Sequence, residues 1–207
     1  MGYLMDMRLQ TNDIKRYLES NDIIDFEHSE EILHISRDIG SRAKNEVELI
    51  RASFEFVRDE ISHSADIYGK VVTCKASEVL SAKEGICYAK AHLLAAILRA
   101  NQIPAGFYYQ KLILNDESAP YLTLHGLNAV YVNSIDKWIR LDPRGNKPGI
   151  DAQFSLERER LAFPVRAHMG ETDIPVIFAY PDANVIDALT TYTRLEELWN
   201  HLPVNLK

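Results

Sequence analysis

Three residues of this 207-residue chain have the types that thiol acyl-transfer chemistry needs: Cys87, His125 and Asp142. The thiolate is the reactive form of cysteine, and a neighbouring imidazole generates it by taking the proton. A carboxylate on the other ring nitrogen orients the imidazole and stabilises its charge. Cys87 follows the turn Lys83-Glu84-Gly85-Ile86. No Pro or Gly interrupts the chain from Cys87 to Gln102, and Ala91, Leu94, Ala95 and Leu98 recur at helical spacing. A helix of about four turns is expected, with Cys87 in its first turn. Unpaired N–H groups and the positive end of the helix dipole favour an anion there.

His125 and Asp142 lie 38 and 55 residues beyond Cys87, so other elements must return them to it. After Pro104 the pattern becomes extended. Residues 106–114, 122–132 and 138–142 read as three strands joined by short turns, which form an antiparallel meander. Counting back from the turn at 133–137, Asp142 falls opposite Leu127 or Asn128, two or three positions from His125. The ring reaches the carboxylate if both face one side. The resulting thiolate attacks an amide carbon, His125 protonates the leaving amine, and an amine or water resolves the thioester. The Cys87 N–H and a second donor meet the oxyanion. That donor is sought in the polar connection 61–70, which holds His63 and Tyr68. Tyr88, beside the nucleophile, and Arg144 are further candidates for substrate binding. Arg144 and Lys147 form a basic turn that is either solvated or serves to bind an acidic group or favour the thiolate. Cys74 reads as a small buried hydrophobe.

The remaining elements are supports. Leu4, Met5, Met7 and Leu9 suggest a short strand, and Asn12 a cap for a turn at 13–18. Asp22 to His28 reads as strand or loop. Ser29 and Asn45 cap two helices, with stripes Ile32, Ile35, Ile39, Ala43 and Val47, Ile50, Phe54, Val57, Ile61. His28 and His34 fit no pattern and are read as solvated. A helical turn is expected at 76–80. Past Gly145 the chain is irregular, with helices expected at 156–161 and 193–201 and an edge strand at 175–178. With no repeat or linker, one domain spanning 1–207 is the economical organisation.

Hydrophobic residues make up 46% of the chain, enough for a sizeable core, and the net charge of −7 argues against nucleic acid as partner. No apolar run approaches the ~18 residues of a membrane span, and no secretion signal is read at the start. Two cysteines make no disulfide framework and suggest reduced thiols in the cytoplasm. No motif suggests a metal or cofactor.

Four segments, in order, resemble the transglutaminase-like core: Gly85-Ile86-Cys87-Tyr88-Ala89-Lys90-Ala91; Leu98 through Ile103-Pro104-Ala105-Gly106; His125; and Trp138-Ile139-Arg140-Leu141-Asp142-Pro143. The resemblance spans roughly residues 47 to 145. It implies Cys87 as nucleophile, His125 as base and Asp142 as orienter. It also implies a papain-like α+β fold, with the nucleophile helix packed on an antiparallel sheet. Two departures stand out. The usual H-A-W-x-E is His125-Gly126-Leu127-Asn128-Ala129, without the tryptophan, which suggests a different cleft. The usual glycine before Ile-Pro is Gln102. The implied substrate is a peptide or protein amide, with an amine as a further acceptor. The family also holds members without activity, so a binding module is the rival function, and a redox-sensing pair with Cys74 a third.

Overall fold

The computed structural model describes residues 7–115 and 119–207. Helix α1 (Glu30–Arg42) starts where the Ser29 hydroxyl accepts the Ile32 N–H at 3.3 Å. Helix α2 (Glu46–Glu60) starts where the Asn45 side chain accepts the Glu48 N–H at 2.9 Å. Both caps satisfy an N–H that the first turn leaves unpaired. Near the start, Leu4 and Met5 lie outside the described residues, and the strand is β1 (Arg8–Leu9). The helical turn at Ile14–Tyr17 is capped by Asp13, not Asn12. Phe26–His28 is a 3₁₀ turn.

A two-residue ribbon, β2 (Ser62–His63) beside β3 (Glu84–Gly85), flanks α3 (Ala76–Ala82) and leads into α4 (Cys87–Ala100). The expected apolar stripe on α4 understates its burial. Every residue from Tyr88 to Arg99 is buried, because α1, α2 and α3 cover one side and the sheet covers the other. Two cations lie within this buried helix. Arg99 is satisfied by the carbonyls of Ala105, Glu19 and Ala179 at 2.6 to 3.0 Å. The other is Lys90. At the helix end Gln102 takes the left-handed conformation, with φ of 59°. Its N–H reaches Arg99 O at 2.9 Å and the Ile103 N–H reaches Leu98 O at 3.0 Å, a Schellman ending before Pro104.

The main sheet has the order β1-β7-β4-β5-β6. Strands β4 (Ala105–Asn115), β5 (Ala119–Val132) and β6 (Lys137–Leu141) form the expected antiparallel meander. Strand β6 pairs with β5 only from Asn128 to Val132, so the His125 end of β5 is open on that side. Strand β7 (Thr172–Phe178) is not an edge strand: it pairs antiparallel with β4 and parallel with β1. Residues 156–161 are not helical; a bridge between Gln153 and Arg160 holds that loop. Helix α5 (Ala183–Thr191) was not expected, whereas α6 (Leu195–Trp199) falls inside the expected 193–201. Among the described residues, no helix is long and apolar enough to cross a membrane.

Candidate active site

The nucleophile turn is built by close packing. A Cβ on Gly85 would lie 3.1 Å from both the Ala89 Cβ and the Thr73 Oγ1, so glycine lets the ribbon approach the helix. Cys87 then opens α4, half-buried. Ile86, the residue before it, has no side-chain acceptor for the first-turn N–H groups. They remain free to meet negative charge.

His125 Nε2 lies 2.8 Å from Asp142 Oδ2. The register behind this matches the count from the turn: Leu141 pairs with Asn128, so Asp142 follows opposite Leu127. With Nε2 on the carboxylate, Nδ1 is the ring nitrogen left for Cys87, whose sulfur is near enough to favour the charged ring. Asp142 is 1% exposed and also accepts the Arg144 N–H at 3.2 Å and the Ala162 N–H at 3.1 Å. Burial opposes ionisation of Asp142, but His125 and these N–H donors outweigh it and hold the carboxyl below its usual range. Burial likewise pulls the imidazole down. The Asp142 carboxylate and the Cys87 sulfur overcome it and push His125 up to about 10. The Phe163 ring packs edge-on against His125, 5.1 Å between centroids.

Cys87, His125 and Phe163 line a cleft of about 720 Å³, whereas Asp142 does not reach its surface. His63 lines it too. It is held in register with Gly85, and its Nδ1 is buried without a hydrogen-bond partner. Burial, helped by Arg144, lowers His63 to about 3, so its ring is neutral at physiological pH. Tyr68 is different: it is 91% exposed and does not line the cleft, so the structure does not place it where an oxyanion donor must sit. Tyr88 lines the cleft wall, but its hydroxyl donates to the Leu124 carbonyl. Arg144 lines the cleft with its guanidinium on both oxygens of Asp66, and Lys147 reaches the same carboxylate at 2.6 Å. The basic turn is thus neutralised in part by Asp66 and is not a simple solvated loop. Cys74 is buried, and burial pushes its thiol up to about 12, which suits the inert packing role.

The position of the missing tryptophan does not line the cleft. Leu127 stands in its place and packs with Tyr17, Tyr108 and Ala129 in a second apolar cluster away from Cys87. What the sequence did not signal are the walls contributed late in the chain: Phe163 and Pro164, then Trp199 and Leu202. The Leu124 N–H, beside His125, donates to Pro203 O at 2.8 Å, so the C-terminal segment covers part of the open β5 edge. Among the described residues, no cluster of three or more His, Cys, Asp or Glu could hold a metal ion.

No curated protein matches the chain. Among solved structures, a presumed cysteine protease from Cytophaga hutchinsonii superposes with a TM-score of 0.53 at 19% identity, over 65% of this chain and 43% of that one. The periplasmic domain of TgpA from Pseudomonas aeruginosa matches at 0.45 and 16%, over 63% and 48%. Red sea bream transglutaminase matches at 0.39 and 14%, over 62% and 27%. This chain spans less than half the length of each of these structures. At such identities the first of them speaks for the papain-like α+β fold and not for an activity. The family model is more direct. It matches residues 33–143, more than half of the chain, and that segment contains the nucleophile turn, the histidine strand and the aspartate; the chain belongs to the transglutaminase-like superfamily.

Proposed function

We propose that the protein is a thiol-dependent enzyme that transfers or hydrolyses the acyl group of an amide or peptide bond. The observation that supports this best is the 2.8 Å His125–Asp142 pair, with its free ring nitrogen at Cys87 on an uncapped helix start. The Cys87 thiolate attacks the amide carbon and a C–S bond forms. The Cys87 N–H and the neutral His63 ring donate to the oxyanion. The C–N bond breaks as the His125 imidazolium gives its proton to the departing amine. Water or a second amine, deprotonated by His125, attacks the thioester carbon, and the C–S bond breaks to restore the thiolate. Asp142 keeps the ring oriented throughout. Two free thiols suit a reducing compartment such as the cytoplasm.

The test is iodoacetamide labelling at mildly acidic pH. Cys87 should react well before Cys74, and His125→Ala should remove that advantage. Equal, slow labelling of both thiols would defeat the proposal.

One observation favours a second reading, a binding module without turnover. Trp199 and Leu202 narrow the cleft, and Pro203 occupies a backbone donor next to His125. A reactive Cys87 that turns over no peptide amide would support it.

A further inference from the structure

Lys90 is the one fully buried ammonium among the described residues, one helical turn beyond Cys87 and with no solvent exposure. A buried charge without compensation is costly, so such a group is retained for what it holds. Its partners are two carbonyls at the C-terminal end of α2. The Nζ donates to Ile61 O and, at 3.3 Å, to Arg58 O. Both carbonyls lie where the helix runs out of N–H donors, and the helix dipole is negative there.

The place matters more than the bonds. Ile61 immediately precedes Ser62–His63, the strand in register with Glu84–Gly85. On another side, a Cβ on Gly145 would sit 3.3 Å from the ammonium and 3.3 Å from Arg58 O, so the turn after Asp142 passes close to this charge. Gly145 has a φ of +106°, a conformation that lets the backbone pass so close. An ammonium on the nucleophile helix therefore binds the end of α2, just before His63, and lies beside the turn that follows Asp142.

We propose that Lys90 is a positioning residue for this site: from beneath the cleft it binds the end of α2 and supports the Asp142 turn, and so fixes His63 and Asp142 relative to Cys87. The inference rests on the thiol-enzyme reading above. Burial and Arg144 pull the ammonium down to about 7 against the opposing pull of Asp142, Asp59 and Asp66, so it carries its charge at mildly acidic pH. Apolar packing alone would not need a lysine here. A side chain of similar length without charge would fill the volume and leave both carbonyls unpaired.

The experiment compares wild type, Lys90→Met and His125→Ala by iodoacetamide labelling of Cys87 at mildly acidic pH, with melting temperature and amide exchange measured on each. Lys90→Met should slow Cys87 labelling by about tenfold or more, since displacements on the order of 1 Å cost that much in reactive geometry. Exchange at the Ser62 and Ser64 amides, which bond Lys83 O and Gly85 O across the ribbon, should quicken. Lys90→Gln, which keeps one donor for the carbonyls, should fall between, and it replaces Lys90→Met if that variant does not fold. A melting temperature that moves while labelling and ribbon exchange stay at wild-type rates means a merely structural lysine and overturns the proposal. If His125→Ala slows labelling but the Lys90 variants do not, the positioning role falls and the triad stands. If His125→Ala labels like wild type, the triad falls and takes the Lys90 role with it.

Discussion

The Cβ that Gly126 lacks would lie 2.6 Å from Cδ1 of Tyr88. The residue after the base thus makes room for the residue after the nucleophile. Tyr88 cannot yield easily: its ring is buried and its hydroxyl is held by the Leu124 carbonyl. Gly126→Ala should therefore destabilise the protein by about 1–3 kcal/mol through overpacking. Denaturant unfolding checks this. Tyr88→Ala in the Gly126→Ala background should cost less than the sum of the two single variants, since the clash has gone. Strict additivity would mean that the two side chains do not meet.

Gln102 gives a prediction of opposite sign. The residue at this helix end has a φ of 59°, where a side chain is strained. The exposed Gln102 side chain makes only a long 3.5 Å contact with Arg99 O. Gln102→Gly should stabilise the fold by about 0.5–1 kcal/mol, the relief of strain exceeding the added freedom of the unfolded chain. In a chain of this size that raises the melting temperature by about 2–4 °C per kcal/mol. A lower melting temperature would show that the αL strain is relieved some other way.

These two positions also show what the sequence could and could not reveal. The departures at Gly126 and Gln102 are visible as residue changes, yet their meaning lies in a ring contact and a dihedral angle. The meander was legible because 106–114, 122–132 and 138–142 alternate between clear turns, and the register of Asp142 follows from counting. Strand β7 lies inside the sheet because β1, only two residues long, pairs with its outer side; the sequence suggests a strand near Leu9 but not its partner. Helix α5 has a cap in Asp182 and helical spacing in Val185, Ala188 and Leu189, but Pro181 and the irregular run before it mask these signals in the sequence. Ala162 was beyond reach: it holds Asp142 through a backbone N–H, which any residue type could supply.

The charged pair at the site predicts a pH dependence. His125 is pushed up to about 10, above its ordinary value of 6.5. A group raised in the folded state gives its full stability below the unfolded value and loses it as pH rises through the folded one. Asp142 is held low, so its contribution is present above about 3.8 and is lost as pH falls through its folded value. The stability advantage of wild type over His125→Asn should thus be largest between about pH 4 and 6.5 and shrink steadily from 6.5 to 10. Urea unfolding of both proteins across that span measures it. Taking the difference removes His92, which burial lowers to about 4 without any contribution from His125. A difference that grows toward alkaline pH would mean that His125 is not held as an imidazolium.

The C-terminal segment sets the last expectation. Pro203 O accepts from the Leu124 N–H at 2.8 Å and from the Thr123 hydroxyl at 3.0 Å, and Leu202 lines the cleft beside them. An extended peptide seeking the open edge of β5 next to His125 meets this segment first. Small reagents need no such edge. Leu202→Ala should then raise the rate at which a bulky peptide-bearing electrophile labels Cys87 by severalfold, while the iodoacetamide rate stays at the wild-type value. Leu202 is only partly buried, so the substitution should cost no more than about 1–2 kcal/mol and leave the protein folded. Equal acceleration of both reagents would point to a general loosening of the cleft. No acceleration of either would mean that Leu202 does not limit access to Cys87.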